Sequence, residues 1–151
     1  MKPSEEFFSG NRYAVFGVKA RGRAQGPVLI SALNKAGKSA VAIEADGAEV
    51  KGAEVSRSLA EAGPVDGVVL LPPSPWDNSS AEFTTNAVRQ CKEQGIAKLW
   101  IYTAGDSSGA VAITKAEGID PVASFCPCLY IPGCGFPHNF HTFIARLFGQ
   151  L

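Results

Sequence analysis

The sequence predicts a three-layer α/β/α fold around a five-stranded parallel sheet, in the order 3-2-1-4-5. Short apolar runs alternate with helical patterns along the chain, the signal for a parallel sheet covered on both faces. The first apolar run, Tyr13-Ala14-Val15-Phe16-Gly17-Val18, breaks into a glycine-bearing turn and then an amphipathic segment. The length, 151 residues with 46% apolar side chains, suits one domain, spanning 1–151, with a core that needs no staples.

Each element has its own signal. Strand one covers about Tyr13 to Val18. The helix after it runs from about Pro27 to Ala36, with Val28, Leu29, Ala32, Leu33 and Ala36 at helical spacing on one face. Gly37 stands at its expected C-cap. Strand two is Ala40 to Glu44, and Ser56 to Ala62 reads as a short helix. Strand three, Gly67 to Leu71, is a continuous apolar run of the kind buried on both faces, and Pro72, Pro73 and Pro75 end it. Asp77 and Ser79 offer N-caps for a helix to about Gln94. Its stripe is Phe83, Ala87, Val88 and Cys91, which marks Cys91 as core. Strand four is Lys98 to Thr103. A second turn, Ala104 to Gly109, leads to a helix ending near Glu117, with Asp106, Ser107 and Ser108 as caps. Strand five is about Val122 to Phe125, and a last helix spans about Asn139 to Phe148. Five strands in βαβ order require right-handed crossovers and a Rossmann-like ligand crevice at the carboxyl ends of the strands.

The totals exclude several classes. Fourteen Lys and Arg balance fourteen Asp and Glu, which speaks against nucleic acid as a partner. No apolar run approaches the roughly 18 residues of a membrane span, and the first residues lack the apolar stretch of a signal peptide. The chain reads as cytoplasmic, where cysteines are thiols or metal ligands before they are disulfides.

The turn after strand one, Lys19-Ala20-Arg21-Gly22-Arg23-Ala24-Gln25-Gly26, combines glycines with three cations. Glycine lets backbone N–H groups approach an oxyanion closely. A helix start adds free N–H groups and partial positive charge, and the two together suit a phosphate. Arginine adds bidentate contacts. The spacing of Gly17, Gly22 and Gly26 is wider than G-x-G-x-x-G, and no Gly-Lys-Ser/Thr closes a Walker A loop. The competing reading is a solvated surface turn. Glu44, at the end of strand two, stands where an acid accepts hydrogen bonds from a ribose hydroxyl, or is simply a solvated strand end. An acid there also repels an added phosphate.

Four stretches resemble the small CoA-binding-domain proteins, Rossmann-like domains related to the nucleotide-binding domain of succinyl-CoA synthetase. They are Tyr13 to Val18 with the Gly22-Arg23 turn, Val50 to Leu59, Gly95 to Ile101 with its Leu99-Trp100 pair, and Cys126-Pro127. The resemblance covers about Asn11 to Pro127. It implies a CoA or acyl-CoA ligand across the strand ends. The diphosphate would meet Gly17, Lys19, Arg23 and Gly26, and the adenine would lie near the end of strand two and Pro72-Pro73. The candidate ligand-binding set is thus Gly17, Val18, Lys19, Arg21, Gly22, Arg23 and Gly26, with Glu44, Pro72, Pro73 and Thr103 at the other strand ends. The chain departs from the family where Glu44-Ala45 replaces an Asn-Pro-like end, and where Pro72-Pro73-Ser74-Pro75 replaces a loop that often carries Arg. No histidine corresponds to the phosphorylated one of the synthetase, so ligase activity is not implied.

A second constellation is Cys126, Cys128, Cys134, His138 and His141. Thiolate and imidazole suit Zn, and thiolates alone suit Fe in clusters, but the spacing fits no known finger. The plainer reading makes Cys126 and Cys128 small buried residues at a strand end, Cys134 a loop thiol, and the histidines caps or solvated side chains of the last helix. Trp100 and Trp76 read as packing residues, although Trp76 could stack on a base. Three functions follow: a nucleotide-type binding protein for CoA, an NAD(P)-dependent oxidoreductase using Glu44 on a ribose, and a metal-binding or redox protein using the tail. No catalytic set is evident, since no G-x-S-x-G elbow occurs. The last helix could cover a sheet edge or form a homodimer surface.

Overall fold

The computed structural model of the chain describes residues 6–19, 25–73, 78–102, 108–124 and 130–131. Its strands are β1 (Arg12–Phe16), β2 (Ser39–Ile43), β3 (Glu54–Ser56), β4 (Gly67–Leu70), β5 (Leu99–Tyr102) and β6 (Val122–Ser124). They form one sheet in the order β3-β2-β1-β4-β5-β6, every neighbouring pair parallel. The helices are α1 (Gln25–Lys35), α2 (Leu59–Ala62), α3 (Asn78–Glu93) and α4 (Ser108–Ala116), and a 3₁₀ turn, Phe7–Ser9, precedes β1.

The α/β class and Rossmann-like winding are as the sequence predicts, with six strands in place of five. The additional strand is β3. It has three residues, of which only Ser56 is buried, so no side-chain alternation announces it. Backbone pairing recruits it instead, with Val41, Ala42 and Ile43 in register with Glu54, Val55 and Ser56. The Gly67–Leu70 run is therefore fourth in the chain and lies against β1, while β3 takes the place beyond β2. The short helix begins later than Ser56, because Ser58 caps it by accepting the Glu61 N–H at 3.2 Å.

Residue alternation divides the core between the two faces. Tyr13, Val15, Ala40, Ala42, Val69 and Trp100 pack with Leu29, Ile30 and Leu33 of α1. Ala14, Phe16, Val41, Ile43, Val68, Leu70, Leu99 and Ile101 pack with α2, α3 and α4. Both faces are apolar, which is why the strands read as continuous hydrophobic runs. Cys91 is core as expected: it is fully buried, and burial pushes its thiol up to about 12.

The 3₁₀ turn carries a buried element that the sequence reading left out. Phe7 and Phe8 pack on Trp100 with ring centroids 5.3 and 5.6 Å apart. Tyr13 holds the turn, since its hydroxyl accepts the Gly10 N–H at 2.7 Å and donates to the Phe7 carbonyl at 2.9 Å. At the same end of the sheet one Asp66 oxygen accepts the Asn11 and Arg12 N–H groups. These two bonds lower the pKa of its carboxyl. Among the described residues, no helix is long and apolar enough to cross a membrane.

Candidate functional site

Strand order reverses between β1 and β4, so a ligand crevice belongs at the carboxyl ends of these strands. Two glycines shape that corner. Gly17 leaves β1 with φ +89°, and a Cβ there would collide with the Leu71 carbonyl oxygen and lie 3.1 Å from Phe83. Gly26, in the first turn of α1, lies so close to Val18 that a Cβ would collide with its carbonyl oxygen. The helix start is thereby drawn onto the turn, and Val18 is buried beneath it.

The end of β2 is equally constrained. The Glu44 N–H continues the ladder by donating to the Ser56 carbonyl at 2.9 Å. The chain then turns, with the Gly47 N–H donating to the Glu44 carbonyl at 2.9 Å and Asp46 Oδ1 accepting the Ala48 N–H at 2.9 Å. Gly47 has φ +70°, and the Arg57 guanidinium sits over it. Arg57 Nη1 also donates to the Ala45 carbonyl at 3.4 Å.

Between these two corners lies a pocket of about 330 Å³. Phe16, Gly17 and Lys19 line it from β1 and its turn, Ile43, Glu44 and Ala45 from the end of β2 and the turn after it, and Arg57 from the link between β3 and α2. Pro73 closes one side. Phe83, Asn86 and Gln90 form the far wall from one face of α3. Gln90 also anchors α2, because its Oε1 accepts the Leu59 N–H at 2.8 Å. The pocket therefore has an apolar floor and a rim with two cations and one acid.

Glu44 is the electrostatic centre of that rim. Its pKa is raised, first by burial and then by the charge of Asp46; the Lys19 ammonium and a hydrogen bond from the Lys19 backbone oppose the rise. Its Oε1 is buried with no hydrogen-bond partner among the described residues. A proton thus binds Glu44 more tightly in the folded chain than in the unfolded one, and stability must fall as pH rises from the ordinary value of 4.5 through the raised one. Glu44→Gln removes this dependence. Urea midpoints at about pH 4 and about pH 7 should show the variant gaining on the parent at the higher pH. A pH-independent difference would mean that the carboxyl titrates normally.

The structure brings Gly17, Lys19, Glu44 and Pro73 of the sequence-derived set around one pocket. Val18, Gly26 and Pro72 stand behind it as packing: Val18 and Pro72 are buried, and none of the three lines the pocket. Arg21, Gly22, Arg23 and Thr103 lie outside the described residues, as do Trp76, Cys126, Cys128, Cys134, His138, His141 and the last helix. Among the described residues no cluster of His, Cys, Asp and Glu could hold a metal ion. The sequence reading missed Arg57, Asn86 and Gln90. Asn86 and Gln90 carry a faint signal in their helical spacing from Phe83, which marks ordinary surface positions equally well, and Arg57 carries none. A second pocket, of about 450 Å³, lies between α1 and the Lys51-Gly52 turn. It touches no strand end.

No curated protein matches the sequence significantly. Solved structures are similar in fold. A conserved hypothetical protein from Pyrococcus furiosus is 18% identical with a TM-score of 0.63, the match covering 80% of this chain and 98% of that one. A hypothetical protein from Pyrococcus horikoshii OT3 is 17% identical with a TM-score of 0.62, covering 83% and 84%. A protein from Thermus thermophilus is 20% identical with a TM-score of 0.63, covering 86% and 96%. The sequence model described as the CoA binding domain matches residues 11–132, the span from the start of β1 to just past β6, and the chain belongs to that CoA-binding family.

Proposed function

We propose that the chain binds CoA or an acyl-CoA, with the adenosine end entering the pocket between the end of β2 and α3. One observation carries the reading: in a chain of the CoA-binding family, the lysine after β1 and the acid after β2 line the same pocket at the strand ends. Ile43, Pro73 and Phe83 supply apolar surface for a base. The Lys19 ammonium supplies charge for the diphosphate, as does the start of α1, whose first N–H groups lack intrahelical partners. The Lys19 amide is held by Glu44, so the side chain rather than this N–H serves the phosphates. Arg21 and Arg23 belong to the same proposed set. These groups bind and orient a ligand, and no reaction step is assigned to them.

A thermal-shift titration tests this. CoA or acetyl-CoA should raise the unfolding midpoint, since a ligand at a hundredfold excess over its Kd adds about 2.7 kcal/mol. NAD and NADP serve as comparison ligands. Lys19→Ala should weaken CoA binding about tenfold, the order expected for one lost charged contact. A flat response to every nucleotide would overturn the proposal.

A further inference from the structure

Resting on the reading above, we infer that the pocket selects an adenosine nucleotide whose ribose hydroxyls are free, so that dephospho-CoA is a better ligand than CoA with its ribose phosphate. The argument starts from the acidic corner at the end of β2. Glu44 lines the pocket, and Asp46 follows two residues later on the same turn. Each is close enough to raise the cost of further negative charge there, as the effect of Asp46 on the Glu44 carboxyl already shows. Among the described residues, Glu44 Oε1 is a buried acceptor without a donor. A hydroxyl can supply that donor, whereas a phosphate dianion brings only acceptors and two more negative charges.

Two cations share the pocket with Glu44, Lys19 from the turn after β1 and Arg57 from the loop before α2. The Lys19 backbone is bonded to Glu44 and its ammonium partly offsets the charge there, while the same ammonium is the charge proposed for the diphosphate. Arg57 is the group that could oppose this selectivity. Its Nη1 is bonded to the Ala45 carbonyl, and its guanidinium covers Gly47, so it braces the turn that carries the two acids.

The test is calorimetric titration of the full chain with CoA, dephospho-CoA, 5′-AMP and adenosine 3′,5′-bisphosphate at low salt. Dephospho-CoA should bind about tenfold tighter than CoA, and 5′-AMP should bind tighter than the bisphosphate. Added salt should narrow both gaps. Glu44→Gln should close most of the gap by strengthening CoA binding. Asp46→Asn, which keeps the acceptor for the Ala48 N–H, should close part of it and serves if the first variant fails to fold. Equal or tighter binding of CoA by the parent chain would overturn the inference while leaving the proposed function standing. A preference for CoA that Arg57→Ala abolishes would overturn it in favour of a phosphate seat at Arg57. Failure of all four ligands to bind would overturn both.

Discussion

Trp100→Ala is expected to cost about 3–5 kcal/mol of unfolding free energy, the range for deleting a fully buried large aromatic. Trp100 sits mid-strand in β5 with no exposed surface. Its indole meets Phe7 edge-on at 5.3 Å and 74°, and Tyr130 at 5.0 Å. Truncation opens a cavity and removes the surface on which Phe7 and Phe8 are packed, so the 3₁₀ turn loses its seat as well. Against a typical total of about 5–15 kcal/mol, this is a large fraction of the stability. Equilibrium urea unfolding measures it directly. Trp100→Phe, which keeps an aromatic in place, should lose about half as much. A loss below about 1 kcal/mol for the alanine variant would show that the aromatic cluster contributes little.

Gly17→Ala should cost about 2–4 kcal/mol, combining a left-handed backbone penalty with a steric one. The φ of +89° disfavours any side chain, and the added methyl collides with the Leu71 carbonyl. Leu71 has little freedom to retreat, because its N–H donates to the Phe16 carbonyl at 2.9 Å and so ties it to β1. Gly37 separates the two contributions. It has φ +75° with no atom within 4 Å of an added Cβ, so Gly37→Ala should show the backbone cost alone, about 1–2 kcal/mol. If the two alanine variants lose the same stability, the close approach at Gly17 is not a constraint. If Gly17→Ala loses more, the site corner is shaped by backbone contact.

The fold was legible wherever burial leaves a periodic trace. Four of the six strands are apolar on both faces, and α1 and α3 carry stripes that repeat at helical spacing. β3 left no periodic trace, because its three residues are held by backbone pairing to β2 and only Ser56 is buried. The 3₁₀ turn was hidden for another reason. Phe7 and Phe8 are adjacent, so no period distinguishes them from a disordered apolar pair, and only the tertiary cluster around Trp100 explains their burial.

The site was legible in part for similar reasons. Gly17 and Gly26 announced a tight turn, and the structure supplies the contact each one avoids. Glu44 was recognisable from its place at a strand end. Its hydrogen bond to the Lys19 backbone was not, since it joins two loops 25 residues apart in sequence. Arg57, Asn86 and Gln90 looked like ordinary surface residues. They become pocket walls only because α2 and α3 are set side by side, with Gln90 holding the first N–H of α2.

Among the described residues the two outermost strands, β3 and β6, have three residues each. Such stubs offer an incoming chain only a brief ladder of unpaired amides and carbonyls, while the long hydrophobic runs are enclosed in the middle of the sheet. The arrangement withholds the template on which one molecule could extend another strand by strand, so growth of fibrils from the folded state is disfavoured at both margins.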